Sequence, residues 1–468
     1  MRRSFLLVAL GAILLAAPVT AQNTDIESLS GLQFNFANPG ARSLGMGGAF
    51  LGLADDASAV EANPAGLTIL RKPEVSLELR NFLTTQTLAT SGTFNENLQR
   101  TDFRSYSKRV DVAFASFVYP IRNFDIAVYY HEPLNNEGAG AVEAQRNPFT
   151  GQILPGKDIP NFFFARDAKK AVTAQQCLDI QNKDPNDLFS CVEFQVDPYL
   201  TAVQVNQRTW GLAGAWKVKN FSIGASARLQ QFHEEALTFR TDPFGNPKAL
   251  VVQATGFVDD KGALQVKNQN KLTFTAGFKW EATERFSVGG VYKKGARYAT
   301  PTFAETITNN FNFQKLADTT FHIPDIAGVG ISVRPIPVLT FNVDAVHVTY
   351  SNLVDNFVSI NGEVRRLSHP YSANDVTEIH AGGEYFFSTK IPLALRAGYW
   401  RDPAHATKYV GPQNDPQFIG DAILFPGGKT QNHKSFGAGL AWPRFQIDAA
   451  YETSEKYKVG SLSMVTRF

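Results

Sequence analysis

The sequence predicts an all-β protein: a 14-stranded antiparallel transmembrane β-barrel with an N-terminal hatch plugging its lumen. Three observations carry this prediction. A short apolar leader with two arginines opens the chain. Segments of alternating polarity fill most of its length. Their connections are short at every second junction and long and polar at the others.

The leader comes first. Arg2 and Arg3 precede an apolar run from Phe5 to Ala17, and Val19-Thr20-Ala21 places small residues where a signal peptidase reads. Residues 1–21 are therefore expected to be a signal peptide cleaved before Gln22. The run is too short to span a bilayer, and no cysteine near the cleavage point offers a lipid anchor. No other stretch reaches the eighteen or so apolar residues of a spanning helix, which excludes a helical membrane protein. A mean hydropathy of −0.17 fits amphipathic strands, whose two faces cancel. A net charge of +2 leaves no electrostatic case for nucleic acid.

Residues 22–73 do not alternate, and a barrel of this size encloses a lumen wide enough to need a plug. They are read as the hatch. Gly45 to Gly48 is not a phosphate loop, because no strand leads into it and no Gly-Lys-Ser or Gly-Lys-Thr follows. Asp55 and Asp56 suit the first turn of a short helix through Val60, where acidic groups meet exposed amides. Asn63-Pro64 marks a turn, since proline pushes its predecessor out of helical geometry. Phe34, Phe36, Phe50, Leu51 and Leu53 are candidates to line a deep apolar pocket.

The barrel is expected over residues 74–468. Val75, Leu77 and Leu79 alternate with Ser76, Glu78 and Arg80 in the first strand; Leu272, Phe274, Ala276, Phe278 and Trp280 alternate with Thr273, Thr275, Gly277 and Lys279 in the clearest one. Leu339, Phe341 and Val343 are odd whereas Val346, Val348 and Tyr350 are even, a switch of phase that predicts a bulge near Ala345 to Val348. Gly289-Gly290 and Gly382-Gly383 sit inside strands, where they admit a bend or a close ligand. Inward Arg80, Arg228, Lys279 and Arg396 are candidates to meet a ligand carboxylate, although Glu78, Glu281, Glu378, Glu384 and Asp448 are available to pair with them. The last strand puts Leu462, Met464, Thr466 and Phe468 on one face and is expected to pair with the first.

The longest polar connection, Glu132 to Asn206, holds Phe162-Phe163-Phe164, a candidate apolar groove, and a helical stretch near Ala168 to Gln181. It also holds Cys177 and Cys191, which would pair in an oxidising compartment as a structural disulfide.

Gly45-Met46-Gly47-Gly48-Ala49-Phe50, Ala54-Asp55-Asp56-Ala57-Ser58 and Asn63-Pro64-Ala65 with Gly66-Leu67 together resemble the hatch of the FadL/TodX family, outer-membrane transporters of long-chain fatty acids and hydrocarbons. The resemblance implies a Gram-negative outer-membrane location and Asn63, Pro64 and Ala65 as the hatch constriction, with Gly45, Gly48, Asp55 and Asp56 beside it. No energy source is visible in the sequence, so passive transport with capture at the surface is expected, while hatch movement and sideways release into the membrane are what the resemblance implies. The expected partners are a long-chain fatty acid or another hydrophobic ligand and outer-membrane lipid, with no cofactor, no metal and a monomeric barrel. Residues 41–50 also look like the start of the PorV-type barrels, so a partner role in protein secretion is the alternative. Gly-x-Ser-x-Gly, His-Glu-x-x-His and Cys-x-x-Cys are absent from the sequence, and no enzyme is expected.

Overall fold

The computed structural model describes residues 38–88, 101–106, 110–142, 161–165, 170–172, 174–183, 190–195, 199–241, 247–305, 312–354, 360–361, 363–364, 371–387, 392–411, 427–455 and 457–468. The leader and the hatch residues Phe34 and Phe36 lie outside them.

Fourteen antiparallel strands form the wall: β1 Glu74–Leu88, β2 Asp111–Ile121, β3 Phe124–Val142, β4 Tyr199–Val218, β5 Phe221–Thr241, β6 Gln269–Thr283 and β7 Phe286–Lys293, then β8 Ile326–Ile336, β9 Leu339–Val348, β10 Val376–Phe387, β11 Leu393–Asp402, β12 Gln431–Ala441, β13 Phe445–Thr453 and β14 Tyr457–Arg467. Each pairs with its neighbours in sequence, and β14 returns to β1 with Leu79 opposite Leu462 and Glu74 opposite Arg467. Closure leaves the wall without an open edge. The tight turns at one end include Arg122 and Lys219, both in the left-handed region that two-residue hairpins require.

Alternation sorts the side chains. Leu212, Trp216, Phe221, Ile223, Leu272, Phe274 and Trp280 are exposed on the outer face, while Thr273, Thr275 and Lys279 are buried within. Outward aromatics gather at two levels. Trp216, Trp280 and Phe445 sit near the short turns, and Trp210, Tyr292 and Tyr399 sit near the long connections. Such paired girdles mark the two membrane interfaces.

Two expectations are corrected. The long connections are partly strand: residues 134–142 of β3 stay paired with 199–207 of β4, and Pro247–Ala254 pairs with β5 beyond the membrane level. The bulge near Ala345 is absent, since β9 keeps an unbroken register with β10 from Leu339 to Val348. Val346 and Val348 instead point inward, because the lumen at that level is apolar. A register break does occur between His131 and Leu134, where Glu132 and Pro133 oppose Arg208 alone and Pro133 offers no N–H.

In the outer connection, Phe162 to Phe164 belong to a short strand, Asn161–Ala165, but their side chains lie outside the described residues. The helix runs Ala174–Lys183, and its Cys177 is bonded to Cys191.

Candidate functional site

Residues 38–73 fill the inner half of the lumen. They form α1 (Ala41–Gly45), α2 (Ala59–Ala62) and a 3-10 turn over Pro64–Ile69. Met46, Phe50, Leu53, Ala54, Val60 and Leu67 pack against Phe114, Tyr129 and Ala213 of the wall. The expected pocket lining of Phe50, Leu51 and Leu53 is thus consumed in seating the hatch, with all three nearly inaccessible.

What lets so much backbone approach the wall is a row of inward glycines. A Cβ at Gly289 would collide with the carbonyl of Leu51, and one at Gly398 with the amide of Gly47. Gly224 faces Pro64 and Ala65, Gly277 faces Asn63, Gly382 faces Met46 and Gly437 faces Gly45. Gly382 therefore serves close approach of the hatch; the outward Gly290 and Gly383 lie under the rings of Phe278 and Phe341.

Polar pins then fix the register. Asn63 adopts an extended conformation, accepts from Ala65 N at 3.3 Å and donates to Leu51 O at 3.1 Å and to the wall carbonyl of Phe278 at 3.0 Å. Pro64 occupies the first position of the turn, where its missing N–H costs nothing. Asp344 on β9 accepts from the amides of Phe50 and Leu51 at 2.7 and 2.8 Å. His380 meets Gly47 O at 2.7 Å and Glu378 at 3.2 Å. Gly48 has φ +77°, and it seals the turn against the His380 ring.

Of the two hatch aspartates, Asp56 accepts from the Ser58 amide and hydroxyl just ahead of α2, as a cap would. Asp55 does not cap: it pairs with Arg42 at 2.6 Å and Arg334 at 3.5 Å. Arg42 also holds Glu384 at 2.9 Å, so one guanidinium ties hatch to hatch and hatch to wall.

The four candidate cations are all engaged by the protein. Arg80 pairs with Glu78, Arg396 with Glu384 at 2.6 Å and Asp448 at 2.8 Å, and Lys279 donates to the hatch carbonyl of Leu53. Arg228 meets the hatch residue Glu61 at 3.2 Å, and Lys293 approaches the same oxygen at 3.4 Å. Burial opposes the charge on Glu61, but Arg228 and Lys293 outweigh it and hold the carboxyl well below its usual range. Two cations thus face one carboxylate, and Arg228 Nε has no hydrogen-bond partner among the described residues.

Directly outside this charged floor lies an apolar layer. Phe232 stacks on Tyr298 at 4.5 Å and on Phe321 at 5.0 Å, with Val205, Val348, Tyr350 and Val376 around them. Tyr298 and Phe321 come from the connection between β7 and β8, which folds inward over the lumen. Tyr350 stacks on His405 at 3.7 Å, closing the layer from above. A cavity of about 20 Å³ separates floor from layer, lined by Glu61, His131, Pro133, Arg228, Lys293 and Ile326. That is room for a water or two between the described floor and layer.

Sequence reading singled out Gly289 and Gly382 as places of bend or close approach but missed the rest of the glycine row, Asp344, Glu61 and the apolar layer. The layer did leave a trace: the change of phase from Val343 to Val346 marks where β9 stops facing apolar residues outward and starts facing them inward.

A closed 14-strand barrel with paired aromatic girdles and a hydrogen-bonded plug defines a plugged outer-membrane barrel. The profile of the family described as Outer membrane protein transport protein (OMPP1/FadL/TodX) matches residues 194–453. The chain belongs to that family. It is an outer-membrane transporter of hydrophobic molecules and not an enzyme. Among solved structures it is similar to a Pseudomonas aeruginosa FadL homologue at 16% identity and TM-score 0.59, covering 93% of this chain and 100% of that one. The Ralstonia pickettii toluene transporter TbuX matches at 15% identity and TM-score 0.55, with 93% and 100% covered. The Pseudomonas putida toluene transporter TodX matches at 14% and 0.51, with 92% and 98% covered. No curated protein sequence matches the chain.

Proposed function

We propose that the protein carries long-chain fatty acids passively across the outer membrane. The observation that supports this reading is the apolar layer ending on a floor with one cation in excess, Arg228 and Lys293 against Glu61. A fatty acid matches both parts: each methylene placed in the layer contributes about 0.8 kcal/mol, and its carboxylate meets the surplus charge. Residues 22–73, freed of residues 1–21, act as one hatch inside the barrel of residues 74–468. Its pins at Asn63, Asp344 and His380 release for the ligand to descend. The break in pairing at Glu132 and Pro133 borders the same cavity and supplies the sideways exit to lipid.

A second reading, transport of aromatic hydrocarbons, draws on the stacked rings of Phe232, Tyr298 and Phe321. A secretion partner, by contrast, has no use for an apolar layer ending on a charged floor. The test is binding of labelled oleate to purified barrel, with toluene as competitor, in wild type and Asn63→Ala. Saturable oleate binding, altered in the variant, supports the fatty-acid reading. Absence of saturable oleate binding sinks it, and displacement by toluene alone turns the assignment to hydrocarbons.

A further inference from the structure

We propose that the outer ends of β11, β12 and β14 bind the phosphate groups of an anionic glycolipid in the outer leaflet around the barrel. Arg401, Lys434 and Lys458 are exposed on the outward face there. Arg401 lies opposite Asn432 and Lys434 opposite Tyr399, which makes the two cations diagonal neighbours, roughly 7 Å apart at Cβ. Thr453 is opposite both Lys434 and Lys458, so these two flank it at two strand spacings, roughly 10 Å. Just below them Tyr399, Phe436, Tyr451 and Leu462 face the hydrocarbon. The patch therefore sits at headgroup level.

Other parts of the same wall provide an internal control. Arg208 lies two residues before the outward Trp210 and pairs with Glu132 at 3.1 Å; Lys294 lies two residues after the outward Tyr292 and pairs with Asp325 at 2.7 Å. Cations at that level are thus neutralised by the protein itself around β3, β4, β7 and β8. Arg401, Lys434 and Lys458 have no ion pair with any described residue. The carboxylates on their own strands and on β13, Asp402, Asp448 and Glu452, are turned into the lumen and buried. Glu455, in the turn between β13 and β14, is exposed above the patch and forms no ion pair with Lys458. Three cations with no ion pair among the described residues, beside hydrocarbon, attract anionic headgroups, and two or three phosphates on one sugar scaffold can span this spacing where a single-phosphate lipid cannot.

The test is thermal unfolding of the detergent-purified barrel titrated with diphosphoryl lipid A, with lipid A stripped of its phosphates, and with inorganic phosphate. The expected result is a saturable rise in Tm with the diphosphoryl form only, weakened by added salt. Arg401→Gln, Lys434→Gln and Lys458→Gln combined, with an unchanged Tm in the absence of lipid, should raise the half-saturating concentration roughly 100-fold. Lys294→Gln should leave it unchanged. The proposal is overturned if the stripped lipid works equally well, if inorganic phosphate alone reproduces the shift, or if the triple variant responds like wild type.

Discussion

The inner and outer halves of the lumen are closed by opposite means. In the inner half a segment of chain lies backbone against backbone on a row of wall glycines and is pinned by Asn63, Asp344 and His380. In the outer half side chains do most of the closing among the described residues: Phe232, Tyr298, Phe321 and Tyr350 fill the space by apolar contact and ring stacking, with the Tyr298 and Tyr350 hydroxyls donating to Gln230 O and Glu378. Hydrogen bonds between fixed backbones break together or not at all, whereas apolar side chains exchange partners one rotamer at a time. The outer layer is therefore the part suited to admit an apolar ligand. The inner one is suited to stay shut until several pins release.

The strongest way to break this contrast is to push a side chain into the glycine row. Gly398→Val drives a branched Cβ into the amide of Gly47. It should dislodge the hatch and convert a closed channel in planar bilayers to one of large, steady conductance. Unchanged conductance would mean that the glycine row is not the seal.

Removing the carboxylate at the boundary comes next. Glu61→Gln leaves Arg228 and Lys293 facing each other without their shared anion, a loss of about 3–5 kcal/mol for a broken buried pair. Denaturant unfolding should show it. Oleate binding should tighten in the same variant while toluene binding stays constant; equal effects on both would detach the floor from ligand charge.

A smaller change separates the apolar layer from the hatch. Val348→Ala removes two buried methyl groups, a loss of roughly 1.6 kcal/mol. Hydrogen exchange should rise around Tyr350 and leave residues 45–53 unaffected, and coupled changes in both would contradict two independent closures.

The smallest effect concerns the cover of the layer. Burial works against a charge on His405, but Asp402 at 3.0 Å outweighs it, so its pKa is raised above 6.5. A raised folded-state pKa gives stability that is complete below about 6.5 and lost as pH climbs through the folded value. Protection of the amides at Ala404 to Thr407, taken relative to their intrinsic exchange rates, should therefore fall as pH climbs above 6.5, and His405→Gln should abolish that dependence. A pH-independent wild type would remove His405 as the cover's charge.

Much of the wall was legible because a strand repeats every two residues and lipid on one side enforces the rule. Trp210 to Trp216, Leu272 to Trp280 and Phe445 to Tyr451 all face where their alternation places them. The lumen was harder to read, since its residues answer to each other and not to a uniform solvent. Val346 and Val348 looked like a slipped register and proved to be the rim of an apolar layer. Asp55 looked like a helix cap and proved to be a partner of Arg42 and Arg334.

By itself the sequence determined a closed barrel of paired strands and a non-alternating segment before it, because those follow from periodicity, connection length and the location of that segment. Only the tertiary structure decided which wall residues receive the plug and which charges remain for a ligand. Gly289 on β7 finds Leu51, and Arg228 on β5 and Lys293 on β7 find Glu61, through closure of the whole ring. Contacts between positions more than 160 residues apart leave no local pattern to read.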